Sequence, residues 1–392
     1  RRQGVAPAVT RVPAGDVDIG VWGPAASGVA AIERELARLR RGRSALAGEQ
    51  TVAVARAAVL NLVVVATREI HALRATRAVA RLAQRHPSRA IVVLADRRSE
   101  GEPRLGMHAL LPRSDGSARV CFEQILIRAR GAADGRVESA VIPLLLPDLP
   151  VFVWWTETPP LGRRHFEELL ALADRLIVDS SDFARPEETL PALARVGATG
   201  GGRYAVTDLN WARLTPWREL VTQFFDVPAW RPYLGGIEGI RASFAVDADG
   251  RQVHPSQALL LLGWIASRLG WQGADPMAPS EAGGLLFAMR RPDGARVRVR
   301  LRPRFQRGLV EGALSGVRLE ATHEGHRATF LVRRSDDGRH TAASVEIDGR
   351  RVVERIVPHP DPGVVELLEE ELTIVASDVT YEQALGLLVT LG

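Results

Sequence analysis

Lysine is absent from this 392-residue chain, so all 51 of its basic side chains other than histidine are arginine. That bias is compositional. The net charge of +5 and the pI of about 10.3 are therefore weak grounds for a nucleic-acid partner. Aromatic residues make up only 5%, and no stretch interleaves basic and aromatic side chains as an RNA-binding module does. A nucleic-acid partner is not expected. The single cysteine, Cys121, excludes an intramolecular disulfide and any cysteine-cluster metal site, and it makes the cytoplasm the default compartment. No apolar run reaches the ~18 residues that a membrane helix needs, and the first fifteen residues lack a signal-peptide core. Membrane attachment is not expected either. Neither a dinucleotide-binding glycine fingerprint nor a P-loop is present, and no helical zinc motif or nucleophile–base set stands out. The four glycines within 197–202 have the wrong spacing and read as a connector.

What is present is a soluble-protein composition long enough for two domains. Residues 1–15 read as a flexible arm. Residues 16–226 alternate apolar strands with amphipathic helices, the pattern of a doubly wound, mainly parallel α/β domain. Strands are expected at 58–66, 90–95, 118–129, 151–155 and 175–178, with helices at 29–41, 69–84, 164–173, 186–196 and 215–225. The first two strands, joined by a helix, form a β-α-β unit and should be parallel. Residues 97–117 read as a polar excursion. Asn61, inside an otherwise apolar strand, needs hydrogen-bond partners.

After Pro228 the texture changes. Asp-Gly pairs recur at 249–250, 293–294, 337–338 and 348–349, and at the last three β-like runs flank the pair, a strong hairpin signal. A helix at 256–269 precedes these runs, and two short helices close the chain. Residues 235–392 therefore read as an α+β domain built on an antiparallel sheet.

Three sets of residues are candidates for function. The first centres on Pro-Leu-Leu-Leu-Pro-Asp-Leu-Pro-Val-Phe-Val-Trp-Trp, residues 143–155, where two prolines fix the approach to a strand and Trp154 and Trp155 must point to opposite faces. The second comprises Asp148, Asp179 and Asp208, near strand and helix ends, where three carboxylates could bind a metal or run acid–base chemistry although caps or turns explain each one, and beside them Trp211, Arg213, Trp217 and Arg218. Trp211, Leu214 and Arg218 can share a helix face. Aromatics with arginine are the residue types that dominate binding hot spots, although each tryptophan is equally well explained as core. The third is a run in which Arg296, Arg298, Arg300, Arg302 and Arg304 occupy every second position of a strand. They form either a solvated face or a docking face for an acidic partner. His323 and His326 flank a turn without a further ligand, so a zinc site is not expected.

The motifs PLLLPDLPVFVWW, DRLIVDSS (Asp174 to Ser181) and DLNWARLTPWREL (Asp208 to Leu220) resemble the signature segments of the OpcA family, the glucose-6-phosphate dehydrogenase assembly proteins of bacteria. AVLNLVVVA, HPSRAIVV and LLGWIASRLGW support the resemblance, which spans about residues 25 to 275. It implies a non-catalytic protein without a cofactor that binds glucose-6-phosphate dehydrogenase and promotes its active oligomer, in the NADPH-producing oxidative pentose phosphate pathway. It supplies no catalytic residues. The partner-binding candidates are then Asp148, Trp154, Trp155, Asp179, Trp211, Arg213, Trp217, Arg218, Arg298, Arg300 and Arg302. The rival reading is an α/β enzyme or sensor that binds a small sugar phosphate or nucleotide at the sheet edge near Trp155, Asp179 and Arg213.

Overall fold

The structure is a computed structural model that describes residues 21–22, 28–47, 58–83, 85–96, 104–111, 123–130, 137–246, 254–281, 283–373 and 376–391. The expected arm at 1–15, the Asp-Gly pair at 249–250 and Cys121 lie outside these residues.

The first half of the chain builds strands β1 (Val21–Trp22), β2 (Leu60–Ala66), β3 (Ser88–Asp96), β4 (Arg104–Leu111), β5 (Glu123–Arg130), β6 (Val151–Trp155), β7 (Arg175–Val178) and β8 (Ala205–Asp208). Helices α1 (Val29–Ala47), α2 (Glu69–Leu82), α3 (Val137–Val141), α4 (Arg164–Leu170) and α5 (Pro186–Thr199) lie between them, and α6 (Leu209–Ala212) and α7 (Thr215–Asp226) follow the last strand. The sheet order is β1-β4-β5-β3-β2-β6-β7-β8, and the six strands from β5 to β8 are parallel. Counting only those six in chain order, the arrangement is 3-2-1-4-5-6, the doubly wound order in which the winding reverses between β2 and β6. Near-continuous apolar runs such as Leu60–Ala66 suit strands covered on both faces. The expected polar excursion at 97–117 instead contains β4, which pairs antiparallel with β5.

Trp154 and Trp155 do point to opposite faces. Val64, Val92, Trp154 and Ile177 pack with α2. Val63, Val65, Val93 and Trp155 belong to the other core, with Phe166 and Leu169 of α4. Asn61 finds its partners in the proline-rich segment. Its amide donates to the carbonyls of Leu146 and Leu149 at 2.9 and 3.3 Å, and its oxygen accepts from Leu146 N–H at 2.8 Å.

The second half forms β9 (Ile237–Val246), α8 (Ser256–Arg268), β10 (Gln272–Gly273), β11 (Ala278–Pro279), β12 (Leu285–Arg290), β13 (Arg296–Phe305), β14 (Leu314–His323), β15 (His326–Arg334), β16 (His340–Ile347), β17 (Arg350–Pro358), α9 (Val364–Thr373) and α10 (Val379–Leu388). Its sheet runs β10-β12-β13-β9-β14-β15-β16-β17, with β11 beside β12. Hairpins turn at Asp293-Gly294, Asp337-Gly338 and Asp348-Gly349, as the sequence pattern predicts. The sheet is mixed rather than wholly antiparallel, because β9 inserts beside β13 in parallel register. Its inner face, with Ile240, Phe244, Val299, Leu319 and Phe330, packs on α8 and on Phe224 and Phe225 of α7. The closing helices do not line up on this sheet together. Leu367, Leu368 and Leu372 of α9 join the core beneath α2, and α10 packs between α5 and α8.

Candidate functional site

Ligands of doubly wound sheets bind beyond the carboxyl ends of the strands, at the point where winding reverses. Here that point lies between the end of β2 and the end of β6. The segment after β2 is Thr67-Arg68 rather than a glycine turn, and Arg68 precedes α2 in extended conformation. The carboxylate of Glu157, just past β6, closes on it. One Glu157 oxygen accepts from Thr67 N–H at 2.7 Å and Thr67 Oγ1 at 2.5 Å, and the other accepts from Arg68 Nε at 2.6 Å. Burial works against the Glu157 charge, but these donors outweigh it and hold its carboxyl below the ordinary range. A side chain of the protein itself thus takes the donors nearest the start of α2, where an anionic ligand of such a sheet would sit.

One step along the edge, Asp179 follows β7 directly. Burial again opposes its charge. The Arg213 guanidinium and the donors of Ser181 prevail and keep the carboxyl low. Arg213 grips both Asp179 oxygens, Nη1 to Oδ1 at 2.7 Å and Nη2 to Oδ2 at 2.8 Å, the bidentate geometry that guanidinium favours. Asp208, at the end of β8, accepts from Ser180 N–H and Asn210 N–H at 2.9 Å each. Burial first, and then the charge of Asp179, push its carboxyl up to about 7. A chain of buried hydrogen bonds continues from there to the second sheet. Asn210 donates to Ser180 Oγ at 3.2 Å, Gln257 donates to Asn210 Oδ1 at 2.8 Å, and Leu314 N–H donates to Gln257 Oε1 at 2.7 Å. Sequence reasoning passed over Ser180, Asn210 and Gln257. The sequence places Asp179 and Asp208 near strand and helix ends, yet nothing in it ties the DSS and DLN triplets to α8.

The tryptophans are buried. Trp154, Trp155, Trp211 and Trp217 are 5, 2, 4 and 1% exposed. Trp155 meets Phe166 edge-on at 5.3 Å, and Trp217 meets His359 edge-on at 5.7 Å. Trp211 Nε1 donates to Asp378 Oδ2 at 2.7 Å, and the Arg218 guanidinium lies 3.8 Å from the centre of the Trp211 ring. None of these rings presents a contact surface in this conformation. Asp148 stands apart from Asp179 and Asp208. It precedes β6, at the opposite edge of the sheet, in a left-handed turn with φ of +61°. The three aspartates therefore do not converge. Among the described residues no group of histidine, cysteine, aspartate and glutamate side chains is placed to hold a metal ion.

Arg298, Arg300 and Arg302 lie elsewhere, on the outer face of the nine-stranded sheet. Val297, Val299 and Leu301 alternate with them and are fully buried. Register extends the charge across neighbouring strands. Arg300 stands beside Arg241 of β9, and Arg241 beside Arg318 of β14. In the next row Arg302 is followed by Ser243, Gly316 and Arg333. Glu320 Oε1 lies 2.9 Å from Arg318 Nε. Toward the far edge the charges balance, with Arg351 close to Glu346 and Glu354. Exposed apolar side chains, Leu286 and Ile356, flank the arginines on the same rows.

A doubly wound parallel sheet followed by a large mixed sheet, with Thr67-Arg68 where a glycine turn would stand and with Glu157 and Asp179 held by the protein's own donors, defines an α/β protein that carries a second, mixed sheet. The chain belongs to the OpcA family. A family model described as the glucose-6-phosphate dehydrogenase subunit N-terminal domain matches residues 79–195, and the corresponding C-terminal domain matches residues 204–385. Together the two matches cover well over half of the chain. A protein named as a candidate OxPP cycle protein OpcA in Synechocystis sp. is 36% identical over 170 residues, covering 43% of this chain and 34% of that protein. Its counterpart in Synechococcus elongatus is 30% identical over 276 residues, covering 69% of this chain and 59% of that protein. The matched stretches thus span less than two thirds of these relatives. Among solved structures, levoglucosan dehydrogenase in complex with NADH and L-sorbose aligns with a TM-score of 0.44 at 13% identity, over 83% of this chain and 94% of that one. An oxidoreductase from Sinorhizobium meliloti aligns with a TM-score of 0.45 at 13% identity, over 83 and 86%.

Proposed function

We propose that this chain is a non-catalytic partner of glucose-6-phosphate dehydrogenase that binds the enzyme and promotes its active oligomer, in the cytoplasm and without a cofactor of its own. The docking surface in this reading is the outer face of the nine-stranded sheet. The observation that carries it is the register there. Guanidinium groups of Arg300, Arg241 and Arg318 stand opposite one another on β13, β9 and β14, and among the described residues only Arg318 of these three has a carboxylate beside it, Glu320, so like-charge repulsion disfavours the arrangement at Arg300 and Arg241 unless something acidic covers it. Exposed Leu286 and Ile356 add the apolar contacts that an interface of mixed character uses. The family match and the names of the relatives support the choice of partner. The edge of the parallel sheet supports the absence of chemistry, because Glu157 is taken up by Thr67 and Arg68, and Asp179 by Arg213. The buried tryptophans and Arg218 act in this reading as the frame that holds the two sheets together.

The test pairs the purified chain with the dehydrogenase of the same organism. Co-elution and a gain in dehydrogenase activity are expected, with affinity falling steeply as salt rises. Arg298→Glu with Arg300→Glu reverses two exposed charges and should weaken the complex at least tenfold while the melting temperature stays near that of the parent. Undiminished affinity in that folded variant would remove the sheet face from the proposal. Failure of the parent chain to associate at all would remove the partner.

A further inference from the structure

The outer face of the nine-stranded sheet is not flat. In the row Arg302–Ser243–Gly316–Arg333 two small residues lie between two long ones, so the sheet dips at Ser243 and Gly316. Arg302 and Arg333 wall the dip on two sides. Arg241 and Arg318, one row away, close a third, and Arg304 lies beyond. The result is a cavity of about 420 Å³ lined by five arginines and by no carboxylate. Its remaining lining is small or apolar, from Ser315, Pro303, Val317 and Leu331 among others.

Two further features mark it as a built site. The pairing of β14 with β9 shifts register between Leu314 and Gly316, which places Ser315 in a bulge. Bulges of this kind re-aim a side chain out of the ladder. Ser315 is 2% exposed, and its hydroxyl has no hydrogen-bond partner among the described residues. The Nε of Arg241 is likewise buried and without a hydrogen-bond acceptor there. A buried donor without an acceptor costs free energy on the order of 1–3 kcal/mol. A core function for these side chains would have supplied the acceptor from the protein. An acceptor-rich, multiply charged ligand supplies it from outside.

We propose that this cavity is a binding site for a small phosphate-bearing anion. Guanidinium groups recognise phosphate oxygens through paired, charge-assisted hydrogen bonds, and a dianion engages several of them at once. The Ser315 hydroxyl donates to a further oxygen. Gly316 keeps the floor open, and a Cβ there would stand 3.4 Å from its nearest neighbour, the Val332 carbonyl, an ordinary contact. The site shares its surface with the proposed docking face but does not depend on that reading, because Arg298 and Arg300 do not line it.

The experiment uses the purified chain alone, with inorganic pyrophosphate and inorganic phosphate as probes and calorimetric titration at constant chloride. Saturable binding of one anion per chain is expected, with pyrophosphate the tighter. Arg241→Gln combined with Arg333→Gln should weaken it at least tenfold and raise the melting temperature of the ligand-free protein, because uncompensated like charges are removed. Gly316→Val leaves every charge in place and fills the dip, and it should also weaken binding at least tenfold. Equal affinity of parent and Gly316→Val would mean a diffuse electrostatic atmosphere and would overturn the site, as would heats that grow without saturation. Arg298→Glu with Arg300→Glu should keep anion binding within about threefold of the parent. Loss of dehydrogenase association in that variant, with anion binding intact, separates the docking reading from this one.

Discussion

Asp208 has two backbone N–H groups on one oxygen and no partner, among the described residues, for the other, which is buried. Folding therefore favours its protonated form, with a carboxyl near 7 against ~3.9 in an unfolded chain. Between about pH 4 and 7 the folded state holds a proton that the unfolded state has released, so stability falls as pH rises through that window. His359 works in the opposite sense. Burial, then the charge of Arg334, push its imidazole down to about 4, against ~6.5 when unfolded. Its contribution rises with pH between about 4 and 6.5. The two slopes oppose each other over most of that range. Asp208→Asn should remove the first, raising stability at pH 8 by on the order of 1–3 kcal/mol and leaving a profile that climbs from pH 4 to 6.5. Urea midpoints taken from pH 4 to 8 decide it, and a variant profile parallel to the parent's would refute the assignment. Arg213→Met should act far more severely. It leaves Asp179 charged and buried with only the Ser181 donors, a loss of roughly 3–5 kcal/mol, and Asp179→Asn added to it should restore part of that. Neither residue's role was legible beforehand. Asp179 and Arg213 are 34 positions apart, and only the fold converts two candidate contact residues into a closed pair.

At the scale of elements, periodicity served best where a segment's own pattern settles its state. The apolar run at β2, the prolines before β6 and the Asp-Gly turns at 293–294, 337–338 and 348–349 appear where the residues indicate. The arginine alternation of β13 was equally legible, although its neighbours Arg241 and Arg318 were not, since they depend on β9. That strand carries Gly239, Arg241 and Ser243 among its apolar residues and derives its place from β13 and β14, far along the chain. The sequence offers no local sign of such pairing, and β4 was missed for the same reason. Close packing of helices is likewise a tertiary fact. Gly263, inside α8, faces α10 so closely that a Cβ would come within 2.3 Å of the Ala384 carbonyl oxygen. Gly386, inside α10, has nothing within 4 Å of such a Cβ. Helix propensity alone predicts that alanine stabilises both sites by about 1 kcal/mol. Packing reverses the sign at one of them. Gly386→Ala should raise the melting temperature, while Gly263→Ala should lower it by an amount equivalent to roughly 1–3 kcal/mol. Equal shifts in thermal melts would show that the two helices can part freely.

For the whole molecule, the two sheets share one hydrophobic core, running from Val63 and Trp155 through Trp217 and Phe224 to Phe330. The Asn210–Gln257–Leu314 relay crosses the same junction. A single cooperative melt is expected, and two resolved transitions would contradict this continuity. The plan that results keeps the winding reversal of a nucleotide-binding sheet but fills it from within. Dinucleotide binding needs a glycine turn so that backbone can approach the pyrophosphate, together with free N–H groups at the helix start. Here Thr67 and Arg68 occupy the turn, and Glu157 already accepts from the Thr67 amide. A pyrophosphate arriving there meets a fixed negative charge and one donor fewer. The purified chain, given NADP and glucose 6-phosphate, is accordingly expected to produce no NADPH above a protein-free control, and to leave NADP unbound in equilibrium dialysis at concentrations up to about 1 mM, the upper end of ordinary substrate levels. Glu157→Ala removes the internal carboxylate without restoring the glycines, so it should remain equally inactive. Reduction of NADP by the parent chain would contradict the non-catalytic reading. Binding gained by Glu157→Ala alone would instead show that the carboxylate, and not the turn, keeps the crevice closed.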